Sequence, residues 1–557
     1  MKKLMPPVLL FFMVSYLWAM PPMPGSGHTH DGSIRDGEEY PSALFAPQLS
    51  SDVGVRQASA KVPVSVSTIG NKKLLVIRAD YVDLPFDHGT GGTDHNKSYY
   101  NDLLQGPSGL TMKKYYSDQS RTQLNLSFYV TETYHAAYGY AYYGSNNTLG
   151  NDSNAAELVE EVLNQAALDG DVPSGLDDCT VIIVHSGPGE EVGSGSPPYD
   201  IDIEKCIWSH RDKLSKHGIS PIEVHGTYFD SYLLVPEYYY YNGDFDATIG
   251  VFCHEFGHVL GLQDAYDTSY ATSGVGQWSL MGGGSWGSVG RAGVASGKDP
   301  APLMAWERLA LGWITEEDIT PVSGDENDYS FSNINDSDKV YTVKLADNQF
   351  LLLEGKAKNM TGSGMCVMEN GLLVTQLHKG ILSTYWSKNR INYSSYRPHG
   401  AMVVEAVASN YKANGLGNLW RKDSTNNRFT ETALFRSDTL TSIGFEYHSK
   451  SADIPFISIF VNTIIASGFV IALLGLWYAG RKKLCASIVV AAAVVCFSMS
   501  CVIEAKESSG DAYDKGPNTN YYALTNKVHS KTGNSGITIY NIQCNSDGSG
   551  SFSIKKD

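Results

Sequence analysis

Residues 246–267 read DATIGVFCHEFGHVLGLQDAYD, and the interpretation of the whole chain starts from this stretch. Its apolar residues would cover most of a helix surface, which indicates a buried helix rather than an amphipathic one. Asp246 or Thr248 can serve as the N-cap. Gly261 can adopt the left-handed conformation that ends a helix. The sequence therefore predicts a buried helix that begins near Asp246 and ends at Gly261.

The predicted helix carries the pentapeptide HEFGH at positions 254–258. His254 and His258 are four residues apart and share one helix face, so both imidazoles can reach one Zn²⁺ at about 2.0–2.1 Å. Glu255 can accept a proton from a metal-bound water. The chain then doubles back, and Asp264 can supply a third ligand while a fourth position stays open for water. The pattern HExxHxxGxxD thus predicts a catalytic zinc site.

A second motif, WSLMGGGSW at positions 278–286, follows the helix. A methionine in a tight turn shortly after the third ligand forms the apolar floor of metzincin-type zinc sites, so Met281 is the expected Met-turn residue. Glu307, on a helix predicted over Asp299–Trp313, is an alternative third ligand. The short tether of Asp264 to the metal helix favours Asp264. The alternative interpretation of the HEFGH pentapeptide is a buried helix with two hydrogen-bonded histidines and no metal.

Length and composition set the broad class of the protein. A chain of 557 residues is too long for a single core and should contain two or more domains. Its net charge of −17 disfavours nucleic-acid binding. Eight cysteines do not indicate a dense disulfide framework. One bridge, Cys179–Cys206, is compatible with the sequence.

Hydrophobic periodicity predicts an α+β fold. Between positions 71 and 320 it predicts strands and helices in the order of a mixed sheet packed on the active-site helix. The strands are expected over Lys73–Asp80, Leu124–Thr131, Cys179–His185 and Val224–Glu237, and the helices over Thr111–Gln119 and Asn154–Ala167. Residues 321–450 show short alternating runs, which predict a smaller β-rich accessory domain.

Segments near both ends of the chain resemble signals for export and for membrane insertion. Residues 1–19 have the charge, apolar run and small final residue of a secretory signal peptide, and residues 20–70 are typical of a pro-segment or linker. Residues 454–503 contain two uncharged runs, 454–479 and 484–503, that predict two transmembrane helices. The basic turn Arg481-Lys482-Lys483 places the short loop of this hairpin in the cytoplasm. Residues 504–557 are predicted to be a polar tail with a weak hairpin near Gly536–Gln543.

These signals predict an exported protein. Its catalytic domain would be tethered on the extracytoplasmic side, or secreted after processing. Positions 481–501 also resemble a lipoprotein signal, so a fused reading frame after position 481 is an alternative.

The segments HEFGHVLGLQDAYD, WSLMGGGSW and AWERLALGW resemble the immune-inhibitor-A family of secreted bacterial metallopeptidases. The resemblance extends from about position 71 to 450 and implies a metzincin-like fold, a zinc-dependent endopeptidase with a pro-segment, and often structural Ca²⁺. It also implies that His254, His258 and Asp264 bind the metal and that Glu255 is the catalytic base. The chain departs from the family at Gln263, where proline is common, and in the membrane hairpin.

The sequence therefore predicts hydrolysis of peptide bonds in protein or peptide substrates. A non-catalytic surface binding protein on a protease fold is one alternative, which the intact Glu255 disfavours. A zinc hydrolase of non-peptide amides is the other, because both reactions use the same metal chemistry. The sequence gives no indication of the oligomeric state.

Overall fold

The structure is a computed structural model. It describes the residues in the following ranges: 18–20, 67–86, 88–89, 93–147, 150–176, 180–192, 201–241, 244–268, 274–287, 296–346, 348–357, 370–393, 399–404, 442–448 and 532–556.

The first module contains the metal helix. Its strands are β1 (Trp18–Ala19), β2 (Gly70–Asp80), β3 (His88–Gly89), β4 (Thr93–Asp94), β5 (Leu124–His135), β6 (Thr180–Pro188), β7 (His210–Lys213), β8 (Ile222–Val224), β9 (Thr227–Phe229), β10 (Ser231–Tyr241) and β11 (Asp244–Asp246). Its helices are α1 (Lys97–Gln105), α2 (Met112–Gln119), α3 (Tyr140–Gly144), α4 (Ala155–Leu168), α5 (Ile249–Val259) and α6 (Ala305–Ala310).

A seven-stranded mixed sheet forms the centre of this module, in the order β1-β7-β10-β6-β2-β5 with β11 paired to β10. Strands β10, β6, β2 and β5 run parallel, β7 is antiparallel to β10, and β1 at the edge is antiparallel to β7. Both faces of β2 are buried, since Leu74 and Val76 pack in one apolar cluster and Leu75 and Ile77 in the other. Helix α4 covers the second face, and α1, α2 and α5 cover the first, which places the metal helix beside the β7 edge.

The predicted strands and helices of this module are largely confirmed. The strand predicted within Val224–Glu237 is β10, which starts later, at Ser231, and ends at Tyr241. His225 and Gly226 adopt positive φ angles of 52° and 85°, which form a two-residue hairpin turn between β8 and β9 before β10 starts. The helix predicted over Asp299–Trp313 is reduced to α6, because the alternating prolines at positions 300 and 302 hold the preceding residues extended.

The second module is a β-sandwich. Its elements are β12 (Thr315–Ile319), β13 (Glu326–Phe331), β14 (Lys339–Ala346), β15 (Gln349–Lys356), β16 (Gly371–His378), α7 (Lys379–Tyr385), β17 (Ala401–Val404), β18 (Ser442–His448), β19 (Thr532–Cys544) and β20 (Gly550–Lys556). A five-stranded sheet, β12-β14-β15-β16-β17, packs on a four-stranded sheet, β13-β20-β19-β18. The module begins at Thr315, slightly before the predicted boundary at position 321.

The last part of the predicted polar tail belongs to this sandwich, and the weak hairpin predicted near Gly536–Gln543 corresponds to β19 and β20. Strand β20 pairs with β13 and with β19, and β19 pairs with β18. Phe552 stacks on Tyr329, with ring centroids 5.5 Å apart. These pairings integrate residues 532–556 into the fold and argue against an unrelated fused frame at the C-terminus.

The two modules share one apolar core, and a buried ion pair of the second module contacts the first. The Nζ of Lys356 on β15 lies 3.0 Å from Glu354, and both side chains are buried. Glu354 also accepts a hydrogen bond of 3.2 Å from the backbone N–H of Ala305, the first residue of α6. A carboxylate of the second module therefore caps the helix that packs beneath the metal site.

Three sequence predictions concern regions that the structure covers only in part. None of the helices in the described ranges is long and apolar enough to cross a membrane, and the predicted hairpin at 454–503 lies outside those ranges. Most of the predicted signal peptide also lies outside them, although its last two residues form β1. Cys206 is a buried free thiol, and its predicted partner Cys179 lies outside the described ranges.

Candidate metal centre

Helix α5 carries the HEFGH pentapeptide, and all of its residues are buried. Thr248 is the N-cap residue, as one of the two predicted alternatives, but its hydroxyl donates to the carbonyl of Ser296 instead of capping the helix. The helix ends before Gly261, whose φ of +99° confirms the predicted left-handed turn. His254 and His258 project from one face, with ring centroids 4.8 Å apart.

The turn after α5 brings Asp264 to the two histidines. Its Oδ1 lies 3.2 Å from the Nε2 of His254 and 3.4 Å from the Nε2 of His258. One ligand atom from each of the three residues lies within 4.8 Å of the others, and this is the only such group of three or more metal-ligating side chains in the described ranges. The structure thus brings together the three candidate ligands that the sequence predicts.

Hydrogen bonds to main-chain carbonyls orient both rings. The Nδ1 of His254 donates to the Leu280 carbonyl at 2.9 Å, and that of His258 donates to the Leu262 carbonyl at 3.0 Å. Because a carbonyl can only accept, each Nδ1 carries the proton, and each Nε2 presents a lone pair to Asp264. Two ring nitrogens and a carboxylate oxygen thus face one another in a buried space, where a metal ion could bind. The donor set therefore fits Zn²⁺, which accepts histidine nitrogen and carboxylate oxygen.

The electrostatics of the three residues agree with a cation site. Burial by itself would raise the pKa of Asp264, but the neighbouring His258 and His254 outweigh burial and lower that pKa to about 2. Burial lowers the pKa of His258, which keeps its imidazole neutral. An ionised carboxylate and neutral imidazoles are the protonation states that bind a metal.

Glu255 lies beside this cluster and is fully buried. Burial, reinforced by the charge of Asp264, raises its pKa well above the usual range, and the nearby amide of Met20 opposes this shift in part. Within the described ranges neither of its carboxylate oxygens has a hydrogen-bond partner. A buried carboxylate with open acceptor sites beside a metal cluster can accept a proton from a water molecule there.

The predicted Met-turn lies beneath the helix. Met281 is buried, and a Cβ atom on Gly257 would come within 2.5 Å of its sulfur. Its backbone is fixed from both sides, because its N–H donates to Ser279 Oγ at 2.9 Å and its carbonyl accepts from the N–H of Ala265 at 2.7 Å. The preceding carbonyl, that of Leu280, is the one that orients His254. The turn therefore acts both as an apolar floor and as part of the ligand scaffold.

Glu307, the alternative third ligand, has a different position. Its Oε1 accepts from Ser279 Oγ at 2.5 Å and its Oε2 accepts from the N–H of Met304 at 2.6 Å. Burial raises the pKa of Glu307 to about 8. The side chain supports the Met-turn from below and is not one of the three clustered ligand candidates.

A further buried histidine stabilises the segment that leads into the metal helix. The two ring nitrogens of His95 lie 2.7 Å from Glu237 on β10 and 3.0 Å from Asp246 on β11. Burial alone would lower the pKa of His95, but the contacts with Asp246 and Glu237 outweigh it and raise that pKa to about 9. A protonated His95 thus joins the two strands directly before α5.

Two contacts at the site could not be read from the sequence. The N-terminal strand β1 pairs with β7, and Met20, buried next to it, receives a hydrogen bond of 2.9 Å from the indole N–H of Trp208. Asn389, from the second module, contacts Asp264 across a separation of 125 residues. Neither residue belongs to a motif, and only the folded chain brings them to the metal helix.

The fold and the site together define a metallopeptidase-type centre: a buried HExxH helix, a third acidic residue after a glycine turn, and a methionine turn below. Comparison with known proteins agrees with this class. Residues 62–173 and 169–314 match the catalytic domain of the immune inhibitor A peptidases, family M6. This region is therefore similar to the catalytic domain of the immune inhibitor A peptidases.

Two named relatives are similar to part of the chain. Pre-pro-metalloprotease PrtV of Vibrio cholerae serotype O1 (strain M66-2) is 32% identical over 320 residues, which cover 47% of this chain and 33% of that protein. Immune inhibitor A of Bacillus thuringiensis subsp. alesti is 30% identical over 302 residues, which cover 43% of this chain and 41% of that protein. The chain therefore spans less than half the length of these relatives.

Proposed function

We propose that this protein is an exported, zinc-dependent endopeptidase that hydrolyses peptide bonds in proteins. The observation that carries the proposal is the convergence of His254, His258 and Asp264 next to a buried Glu255 that has open acceptor sites. The match of residues 62–173 and 169–314 to a peptidase catalytic domain supports the reaction type.

In this proposal the two histidines and Asp264 hold the zinc ion. A bound zinc ion would lower the pKa of a coordinated water to about 7 and polarise the scissile carbonyl. The carbonyls of Leu280 and Leu262 keep both imidazoles in the tautomer that leaves Nε2 free for the metal. Met281 closes the site from below and keeps it apolar.

Glu255 acts as the general base and then as the general acid. Its burial raises its pKa, so the carboxylate is a stronger base than an exposed one. It takes a proton from the attacking water and delivers that proton to the leaving amine. The two proton transfers need one carboxylate close to the nucleophile, and the position of Glu255 directly after His254 provides it.

The edge strand β7 offers a binding mode for an extended substrate. In the structure β1 already pairs with β7 in antiparallel register, with Trp18 opposite Arg211 and Ala19 opposite His210. The N–H of Met20 continues this pairing by donating to the Ser209 carbonyl at 3.1 Å. A substrate peptide can add to the same edge through main-chain hydrogen bonds, which suits a protease that acts on unfolded or extended segments.

Export and tethering remain proposals that rest on the sequence. The N-terminal residues 1–19 have the pattern of a signal peptide, and residues 454–503 that of a membrane hairpin. The name of the Vibrio cholerae relative, a pre-pro-metalloprotease, indicates a leader and a pro-segment in that protein. We propose the same organisation here, with residues 20–70 as the pro-segment.

The decisive experiment compares the wild-type chain with Glu255→Gln for zinc content and for cleavage of unfolded casein, with and without a chelator. We expect the wild type to hold one zinc ion per chain and to cleave. The variant should keep the zinc and lose activity by a factor on the order of 10²–10⁴. A wild type that binds zinc but leaves casein intact after removal of residues 1–70 would refute the peptidase function. An active Glu255→Gln variant would refute the assignment of the base.

A further inference from the structure

The side-chain amide of Asn389 makes two contacts with Asp264, the third candidate ligand. Its Oδ1 accepts a hydrogen bond of 2.7 Å from the backbone N–H of Asp264. Its Nδ2 donates to Asp264 Oδ2, the carboxylate oxygen that faces away from the histidines. One amide group thus fixes both the backbone and the side chain of the residue that completes the ligand set.

The position of Asn389 is itself well determined. The residue is buried and has a left-handed backbone, with φ of 49° and ψ of 39°, a conformation that asparagine tolerates better than most residues. Its N–H donates to the Trp386 carbonyl at 3.0 Å, and its own carbonyl accepts from Thr268 Oγ1 at 3.4 Å. These contacts aim the amide at the turn that follows α5.

The consequence for Asp264 is an unequal use of its two oxygens. Oδ2 is occupied by the Asn389 amide, whereas Oδ1 points to His254 and His258 at 3.2 and 3.4 Å. A free carboxylate rotates about its terminal bond and can present either oxygen. A hydrogen bond to a metal-binding carboxylate removes that freedom and orders the ligand before the metal arrives.

We propose that Asn389 is a positioning residue for the metal centre, supplied by the β-sandwich and located outside the peptidase-family match that ends at residue 314. The inference rests on the proposed function, because it assumes that Asp264 binds zinc. It implies that the complete active unit includes the second module at least as far as residues 386–392, and that the sandwich contributes directly to the metal site.

A neighbouring contact provides a matched control. Asn392 lies in the same segment, is equally buried, and donates from Nδ2 to the Ala265 carbonyl at 2.8 Å. Its Oδ1 accepts from the N–H of Ala401 at 3.0 Å. Asn392 therefore joins the same two parts of the chain without touching Asp264. Its removal reports the cost of a lost contact between the modules and leaves the ligand undisturbed.

The test uses the full chain as wild type, Asn389→Gly, Asn389→Asp and Asn392→Ala. Glycine keeps the left-handed backbone without strain and removes only the amide. Aspartate keeps the shape and the acceptor, but it cannot donate to Asp264 and adds a repelling charge. The zinc dissociation constant is measured by competition with a chromophoric chelator, and the melting temperature is measured with and without zinc.

We expect zinc binding to weaken about 10–100-fold in Asn389→Gly and at least as much in Asn389→Asp. Asn392→Ala should lower the metal-free melting temperature but leave the zinc dissociation constant within about threefold of wild type. If Asn389→Gly binds zinc as tightly as wild type, Asn389 has no positioning role. The positioning role is also refuted if neither Asn389 variant folds, because the residue would then be structural.

The outcomes for this inference and for the proposed function are separable. A wild type that binds no zinc refutes both. A wild type that binds zinc without cleaving protein refutes the peptidase function, while the zinc affinities of the variants still decide the role of Asn389. A cleaving wild type with an unaffected Asn389→Gly variant retains the peptidase function and refutes the positioning role.

Discussion

The contact between Gly257 and Met281 leads to a prediction about how the metal helix and the Met-turn depend on each other. An alanine at position 257 would place its Cβ within 2.5 Å of the Met281 sulfur and 3.2 Å of its terminal methyl carbon. Hydrogen bonds to Ser279 and Ala265 hold the Met281 backbone, and its side chain is buried. Gly257→Ala must therefore displace the Met281 side chain within a packed core, or shift the helix or the turn.

The size of the destabilisation follows from two opposing effects. Overpacking of a well-packed core costs about 1–3 kcal/mol, and replacing glycine by alanine within a helix returns about 0.5–1 kcal/mol. We expect Gly257→Ala to lower the free energy of unfolding by about 1–2 kcal/mol. Met281→Ala should cost about 2–5 kcal/mol, because it leaves a cavity. With Met281 removed, the alanine at position 257 no longer meets the sulfur and should stabilise the protein slightly.

A double-mutant cycle measures this coupling. Urea unfolding of the metal-free wild type, both single variants and the double variant gives the four free energies, and we expect a coupling of about 2 kcal/mol between the two positions. The zinc dissociation constant of Gly257→Ala should rise as well, since the Met-turn also orients His254 through Leu280. An equal effect of Gly257→Ala in the presence and absence of Met281 would refute the reasoning.

Three further predictions concern other parts of the molecule. Removal of residues 1–20 uncovers β7, so unfolded casein should be cleaved several-fold faster than by the full chain; an unchanged rate would show that β1 does not occupy the substrate edge. Because the pKa of His95 is raised to about 9, protonated His95 should stabilise the folded protein fully below about pH 6.5, and this stabilisation should be lost as the pH rises through 9. The free energy of unfolding should therefore fall over this pH range in the wild type and not in His95→Gln. Parallel pH curves for the two proteins would contradict the prediction. Lys356→Met leaves Glu354 buried without its cation and should cost about 3–5 kcal/mol in urea unfolding, against a much smaller loss in the Glu354→Gln, Lys356→Met double variant.

The parts of the site that the sequence predicts are those whose determinants are close in the chain. The two histidines, the glycine turn and Asp264 all lie within α5 and the turn after it, and the helical repeat fixes their relative positions. Met281 can be anticipated because a tight glycine-rich turn follows at short distance. The structure confirms the proximity of the three candidate ligands, while their role in metal binding stays a prediction.

The other features of the fold and the site depend on contacts between distant segments, which no local sequence pattern encodes. Asn389 reaches Asp264 across 125 residues and carries no motif of its own. Helix α6 is shorter than its apolar spacing predicts, because that spacing extends through two prolines that shorten the helix at its start. Local patterns predict only a weak hairpin near Gly536–Gln543 and not its place in the sandwich, because that place depends on the pairing of β20 with the distant strand β13.

The pairing of β18 with β19 restricts how the chain segment between these strands could cross a membrane. These strands are neighbours in one sheet, with Ser442 opposite Tyr540 and His448 opposite Thr532, so the two residues that flank the segment 449–531 lie close together. If the proposed membrane hairpin lies in this segment, both flanking strands must be on the same side of the membrane. Any passage of this segment through a bilayer must occur an even number of times. The two spans predicted at 454–479 and 484–503 satisfy that parity, whereas a single anchor helix there would separate β18 from its partner strand.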